Sequence, residues 1–260
     1  MVNTLSRPLR RAAGLALRTR RRVRDERLKR RFASAFLPDR AALATYEREL
    51  QASGLLEHLR SKGREFDEAV RDVPGPRHTI GAIAYLEGIN LYAVLRTVKP
   101  HIAVETGVCN GFSTAFSLLA LERNGHGELH SIDLPRMIGT DYVPGTFFEG
   151  KGQAGVPEGK QPGWLVPDHL RHRWSLILGR SDEHLPELLE RVGTIDSFLH
   201  DSEHSFENMW FEYSQAFPAL REGGVLMSHD INTTEAFPRF AAEHGREPID
   251  LSRGMALIVK

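Results

Sequence analysis

The chain has 260 residues, 34 basic against 34 acidic side chains, and a single cysteine, Cys109. That length suits one α/β domain with an extension, and one cysteine excludes an internal disulfide framework and fits a reducing compartment. No apolar run approaches the length of a membrane span and the N-terminus lacks a signal-peptide apolar stretch, so the cytoplasm is the expected location.

Formal neutrality conceals an asymmetry. Residues 1–31 hold eleven Arg and one Lys against Asp25 and Glu26, a net of +10, which leaves −10 on the rest. Residues 1–35 read as a basic arm whose spaced Leu5, Leu9, Leu15, Leu28 and Phe32 suit an amphipathic helix on anionic lipid, nucleic acid or a partner subunit; a solvated arm is an equal reading. Residues 36–78 form a helical extension, with Leu43, Tyr46, Leu50, Leu55 and Leu59 at helical spacing before the breaker Pro74-Gly75-Pro76. A helix is expected from Thr79 to Val98, ended by Lys99-Pro100.

The apolar run His101 to Val104 reads as a buried strand, and Ala115 to Leu121 as a helix. Between them lies Glu105-Thr106-Gly107-Val108-Cys109-Asn110-Gly111-Phe112-Ser113-Thr114. Strand, glycine turn and helix start in that order put unpaired backbone N–H groups at the carboxyl edge of a parallel sheet, where ligands of such sheets sit. The spacing lacks the third glycine of a dinucleotide fingerprint, and an acid at the strand tip suits an ammonium or sulfonium group better than a pyrophosphate. Asp133 ends the next strand about twenty residues on, the usual place for a carboxylate gripping ribose hydroxyls. Cys109 reads as a small filler of the loop.

Residues 134–166 are rich in Gly and Pro and read as a lid or substrate loop, whose Tyr142, Phe147, Phe148 and Trp164 either face a substrate or anchor the loop. A short helix over 167–173 leads to a third strand, Trp174 to Leu178, then Ser181-Asp182 and a helix. A fourth strand, Ile195 to His200, reaches Asp201-Ser202-Glu203-His204 and the helix from Phe206. Arg221-Glu222-Gly223-Gly224 is expected to turn into a fifth strand, Val225 to Ser228, ending in His229-Asp230. A last helix and two apolar runs joined by Ser252-Arg253-Gly254 suit an antiparallel hairpin. Alternating strands and helices argue a Rossmann-like, doubly wound, mostly parallel seven-stranded sheet over residues 79–260.

Glu105, Gly107, Gly111 and Asp133 together resemble the S-adenosylmethionine (SAM) loop of class I methyltransferases. The Glu87-Gly88 helix just upstream is similar to that of the catechol and caffeoyl-CoA O-methyltransferases, and Asp201-x-x-His204 with Gly223-Gly224-Val225-x-x-x-His229-Asp230 resembles a family of bacterial small-molecule methyltransferases. The resemblance covers Thr79 to Lys260. It implies that Glu105, Thr106, Gly107, Asn110, Gly111, Ser113 and Asp133 serve the cofactor, that Ser181 and Asp182 lie beside its adenine, and that Asp201 joins them. It also places Asp201, His229 and Asp230 where the metal-dependent relatives hold a divalent ion, and His204 where they carry a basic lysine. Carboxylates with imidazole suit Mg²⁺ or Mn²⁺, with Mn²⁺ or Fe²⁺ favoured as the imidazole share rises.

The function so implied is SAM-dependent methylation of a hydroxyl on a small-molecule acceptor, with His204 as base beside Asp201, with or without a metal, in a chain able to form a homo-oligomer. An RNA methyltransferase clamping phosphate with the basic arm, or a docking protein with a vestigial SAM pocket, are the competing readings.

Overall fold

The computed structural model describes residues 23–74, 77–81, 83–139 and 153–260. Most of the basic arm, and the loop aromatics Tyr142, Phe147 and Phe148, lie outside the described residues. None of the described helices is long and apolar enough to cross a membrane.

The described chain opens with a helix over residues 23–36 (α1). Its Phe32 and Ala33 are buried in the main core, so the C-terminal part of the supposed arm is structural. Two amphipathic helices follow, α2 (Arg40–Ala52) and α3 (Leu55–Ala69). Asp39 caps α2, its Oδ1 accepting the N–H groups of Ala41 and Ala42 at 2.7 and 2.8 Å. On α3 the residues Leu55, Leu59 and Phe66 recur at helical spacing and are all buried.

The helix expected from Thr79 begins only at Tyr85 (α4, Tyr85–Val98). Thr79 instead bridges Ala154, and Gly81 has a left-handed φ of 58° that breaks the helical path. Then β1 (Ile102–Thr106), α5 (Phe112–Asn124), β2 (Glu128–Asp133), a 3₁₀ turn (Asp168–Arg173), β3 (Trp174–Leu178), α6 (Ser181–Val192), β4 (Ile195–His200), α7 (Phe206–Ala219), β5 (Leu220–His229), α8 (Ala236–Glu243), β6 (Ile249–Asp250) and β7 (Met255–Val259) alternate as expected. The glycine pair Gly223-Gly224 does not turn into β5. It lies within it, and the pairing with β4 shifts register between Ile195 and Ser197 to accommodate it.

The sheet order is β3-β2-β1-β4-β5-β7-β6, with β1 to β5 parallel and β7 antiparallel to both neighbours. One face packs on α1 to α5 and the other on α6 to α8, giving two apolar cores. β4, central and covered on both faces, is buried at every residue. Strand order reverses direction between β1 and β4, so the chain leaves them toward opposite faces, to α5 and to α7, and a crevice opens over their carboxyl ends.

Candidate active site

A cavity of about 770 Å³ occupies that crevice, a volume typical of small-molecule sites. Its walls come from Thr79 to Gly81, the glycine loop Gly107 to Cys109, the end of β2 from Asp133 to Arg136, Gly179 to Asp182 after β3, Asp201 to Ser205 after β4, and His229-Asp230 after β5.

Gly107 makes the loop possible. It has φ +85°, and a Cβ placed there would lie 2.1 Å from the carbonyl oxygen of Asp201. The loop and the end of β4 therefore meet backbone to backbone, fixed by the Asp201 N–H donating to Thr106 O at 2.9 Å. Gly107→Ala is expected to cost about 1–3 kcal/mol in backbone strain before the clash is counted, read as a lowered Tm.

Asp133 lies beside the loop with one carboxylate oxygen, Oδ1, accepting the Val108 N–H at 2.9 Å. The other, Oδ2, is buried without a protein partner. Burial raises the pKa of this carboxyl and the Val108 hydrogen bond opposes the rise. A buried acceptor at the cavity wall suits the hydroxyls of a ribose.

Not all the residues expected at the cofactor reach the cavity. Gly107, Asp133, Ser181, Asp182 and Asp201 line it; Glu105, Thr106, Asn110, Gly111 and Ser113 do not. Glu105 is fully buried beneath the loop, its oxygens accepting from the hydroxyls of Ser113 (2.6 Å), Thr114 (2.8 Å) and Ser131 (2.9 Å). Burial pushes its pKa up to about 7 against the pull of those hydroxyls. The acid at the strand tip thus ties β1 and β2 to the start of α5. Glu105→Gln is expected to leave cofactor Kd within a few-fold of wild type in calorimetry; a 100-fold loss would mean the acid meets the ligand. Thr106 donates to Glu212 at 2.5 Å. Ser181 is the first residue of α6 rather than its cap, and its hydroxyl donates to Asn208 Oδ1 at 3.3 Å. Asp182 pairs with Arg180.

At the other end of the cavity three side chains converge. His229 Nδ1 lies 2.9 Å from Asp201 Oδ1, without hydrogen-bond alignment, and His204 Nε2 lies 3.7 Å from the same oxygen. Ligand atoms of Asp201, His204 and His229 all fall within 4.8 Å of one another, a spacing one divalent ion can span. The sequence pointed to Asp201, His229 and Asp230 as that set; the close group has His204 in place of Asp230. Asp230 adopts a left-handed φ of 51°, its side chain is 45% exposed, and it flanks the group with one oxygen 3.7 Å from His204 Nε2 and the other 3.7 Å from His229 Nδ1.

Electrostatics bind the cluster. Burial would raise the pKa of Asp201, but His229 and His204 outweigh it and bring it to about 2. Burial would lower His229, yet Asp201 and then Glu87 carry it up to about 11. Glu87 is the residue the sequence did not reveal. It stands in the first turn of α4, 3.4 Å from His229 Nε2, and accepts from the Ala84 N–H and the Ser252 hydroxyl, both at 2.5 Å. The Glu87-Gly88 pair was visible, but its partner lies on the far side of the chain sequence and only the fold joins them.

His200 turns into the packing. It is fully buried, with Nδ1 2.6 Å from Glu212 Oε2, and its ring meets that of His204 edge to face at 5.4 Å between centroids. Cys109, expected as a filler, stands in the cavity wall with a left-handed φ of 48°, and burial holds its thiol well above the usual range.

Comparison with known proteins agrees with this geometry. Residues 104–231 match a protein-family model described as a methyltransferase domain. None of the curated proteins matches the chain in sequence. Among solved structures, the O-methyltransferase NovP aligns with a TM-score of 0.51 at 18% identity, covering 74% of this chain and 88% of that one. TomG of Streptomyces achromogenes, an O-methyltransferase of tomaymycin synthesis solved with SAM, aligns at 0.49 and 16% identity over 88% and 93% of the two chains. An O-methyltransferase from Bacillus cereus, solved with SAH, gives 0.47 and 13% over 88% and 94%. The first shows a shared fold; the other two are weaker likenesses. The sheet order and the glycine loop at its switch point thus belong to a fold shared with the O-methyltransferase NovP, and residues 104–231 within it match the model of a methyltransferase domain.

Proposed function

We propose that the protein transfers a methyl group from SAM to a hydroxyl of a small molecule. The observation that carries this reading is the pairing, in one cavity, of an unpartnered buried acceptor, Asp133 Oδ2, with the Asp201–His204–His229 cluster. When bound, SAM supplies a methyl carbon activated by positive sulfur. The protein's tasks are then alignment and removal of the hydroxyl proton.

His204 suits the second task. Its ring lines the cavity, is 27% exposed, and has Nε2 3.7 Å from an oxygen of Asp201 and 3.7 Å from one of Asp230, so it is placed to take a proton from a bound hydroxyl. His229, held between Asp201 and Glu87, keeps the shared carboxylate in place.

The compact ligand group favours a second reading, in which Asp201, His204 and His229 hold a divalent ion. Such an ion would lower the pKa of the acceptor hydroxyl. Its two imidazoles favour Mn²⁺ or Fe²⁺ over Mg²⁺. The acceptor class is supported by the cavity's size, and the O-methyl chemistry by the names of the structural neighbours.

Calorimetry with SAM tests the core of the proposal: saturable one-to-one binding, weakened at least tenfold in Asp133→Ala, is expected. An absence of binding at millimolar SAM would end it. Turnover that survives exhaustive chelation selects His204 as base; turnover lost and restored by Mn²⁺ selects the metal reading.

A further inference from the structure

The amide of Asn110, in the glycine loop, is spent entirely on protein. Its Nδ2 donates to Ile80 O and to Gly155 O, both at 2.8 Å, and its Oδ1 accepts from Trp164 Nε1 at 2.5 Å. It is completely buried, so it serves the loop rather than a ligand. The backbones meet as well: Gly163 N–H donates to Cys109 O at 2.9 Å and Leu165 N–H to Asn110 O at 3.0 Å. A Cβ on Gly111 would lie 2.8 Å from Gly163 Cα, so the two strips touch glycine to glycine.

The segment that grips the loop is itself gripped by α3. His58 Nε2 bonds Leu165 O at 2.9 Å. The Trp164 ring has an ammonium on it from either segment, Lys62 of α3 at 5.2 Å and Lys160 at 4.7 Å from its centroid, and both lysines pair with Glu65 of α3. Two cation–π contacts thus meet on one tryptophan whose indole N–H ends on the glycine loop, while the Lys160–Glu65 ion pair and the His58 bond to the adjacent Leu165 hold the segment on α3.

We propose that helix α3, outside the residues that match the methyltransferase domain, sets cofactor affinity by holding the glycine loop in its binding shape through Trp164 and Asn110. The inference rests on SAM binding in this cavity. Its physical basis is preorganisation: a loop that visits its competent shape only part of the time binds with an affinity reduced by that fraction. Trp164, His58 and Asn110 are positioning residues in this scheme.

Trp164→Phe keeps the ring and deletes only the N–H, while His58→Ala deletes the tie from α3. A competent fraction cut to between a third and a tenth raises SAM Kd about 3–10-fold, measured by calorimetry well below each variant's Tm. Hydrogen exchange in the ligand-free protein gives the second readout. Amides of residues 107–111 should exchange faster in both variants while those of α8 stay at the wild-type rate. A merely structural loss would lower Tm and speed both regions together. Wild-type Kd and wild-type loop exchange in both variants would overturn the proposal. If the wild-type protein ignores SAM, the functional reading fails on its own, and loop exchange still decides whether α3 holds the loop.

Discussion

His204→Ala is expected to lower kcat by about 10²–10⁴-fold and to leave SAM Kd close to wild type. The ring lies among the residues after β4, and its polar contacts are with the two carboxylates Asp201 and Asp230 and not with Asp133. Removing it deletes the proton acceptor in the base reading and an ion ligand in the metal reading, so turnover falls in both. The two separate on a second measurement, since only the metal reading also predicts loss of a Mn²⁺-induced rise in Tm. Unchanged turnover in this variant would remove His204 from the chemistry.

Asp201→Asn should have the second largest effect, because one carboxylate serves two histidines. Breaking a buried pair costs roughly 3–5 kcal/mol, and the lower end applies here since both partners keep some solvent contact. The pH dependence carries a sign that can be checked. His229 titrates near 11 in the folded chain against 6.5 when free, so its contribution is complete below pH 6.5 and is lost as pH rises toward 11. Asp201 runs the other way, from 3.8 down to about 2; its contribution is complete above pH 3.8 and is lost as pH falls through 2. Thermal stability of the metal-free protein should therefore have a plateau between these limits and an alkaline decline. In Asp201→Asn that decline should flatten. A variant that melts with the wild-type alkaline slope would show that the pair does not couple to folding.

The cluster also shows where a local reading of sequence stops. Asp201-x-x-His204 was legible because its two members lie three residues apart in the short connection between β4 and α7. His229 was legible as a strand end. Glu87 was not, since its pairing with His229 depends on α4 entering the sheet region beside the C-terminal hairpin, where Ser252 completes the contact. Glu105 illustrates the opposite case. Acid, position and strand end were all read correctly, but the direction of the side chain depended on three hydroxyls, one of them Ser131 on the neighbouring strand, that draw it beneath the loop.

Asn110 and Trp164 divide along the same line. Both residues lie in stretches that the chain marks as special, a glycine loop and a glycine-rich connection, yet nothing local says that one bonds the other across 54 positions. Trp164, open between facing a substrate and anchoring the loop, proves to be an anchor.

By itself the sequence determined the order of strands and helices, the glycine loop and the acids and histidines at the strand ends, because hydrophobic period, glycine conformation and chain order are local properties. Only the tertiary structure decided which of those groups open on the cavity, which are consumed as struts, and that α3 contacts the segment bonded to the loop. Those outcomes depend on burial and on partners far away in the chain, and both exist only once the sheet has closed its crevice.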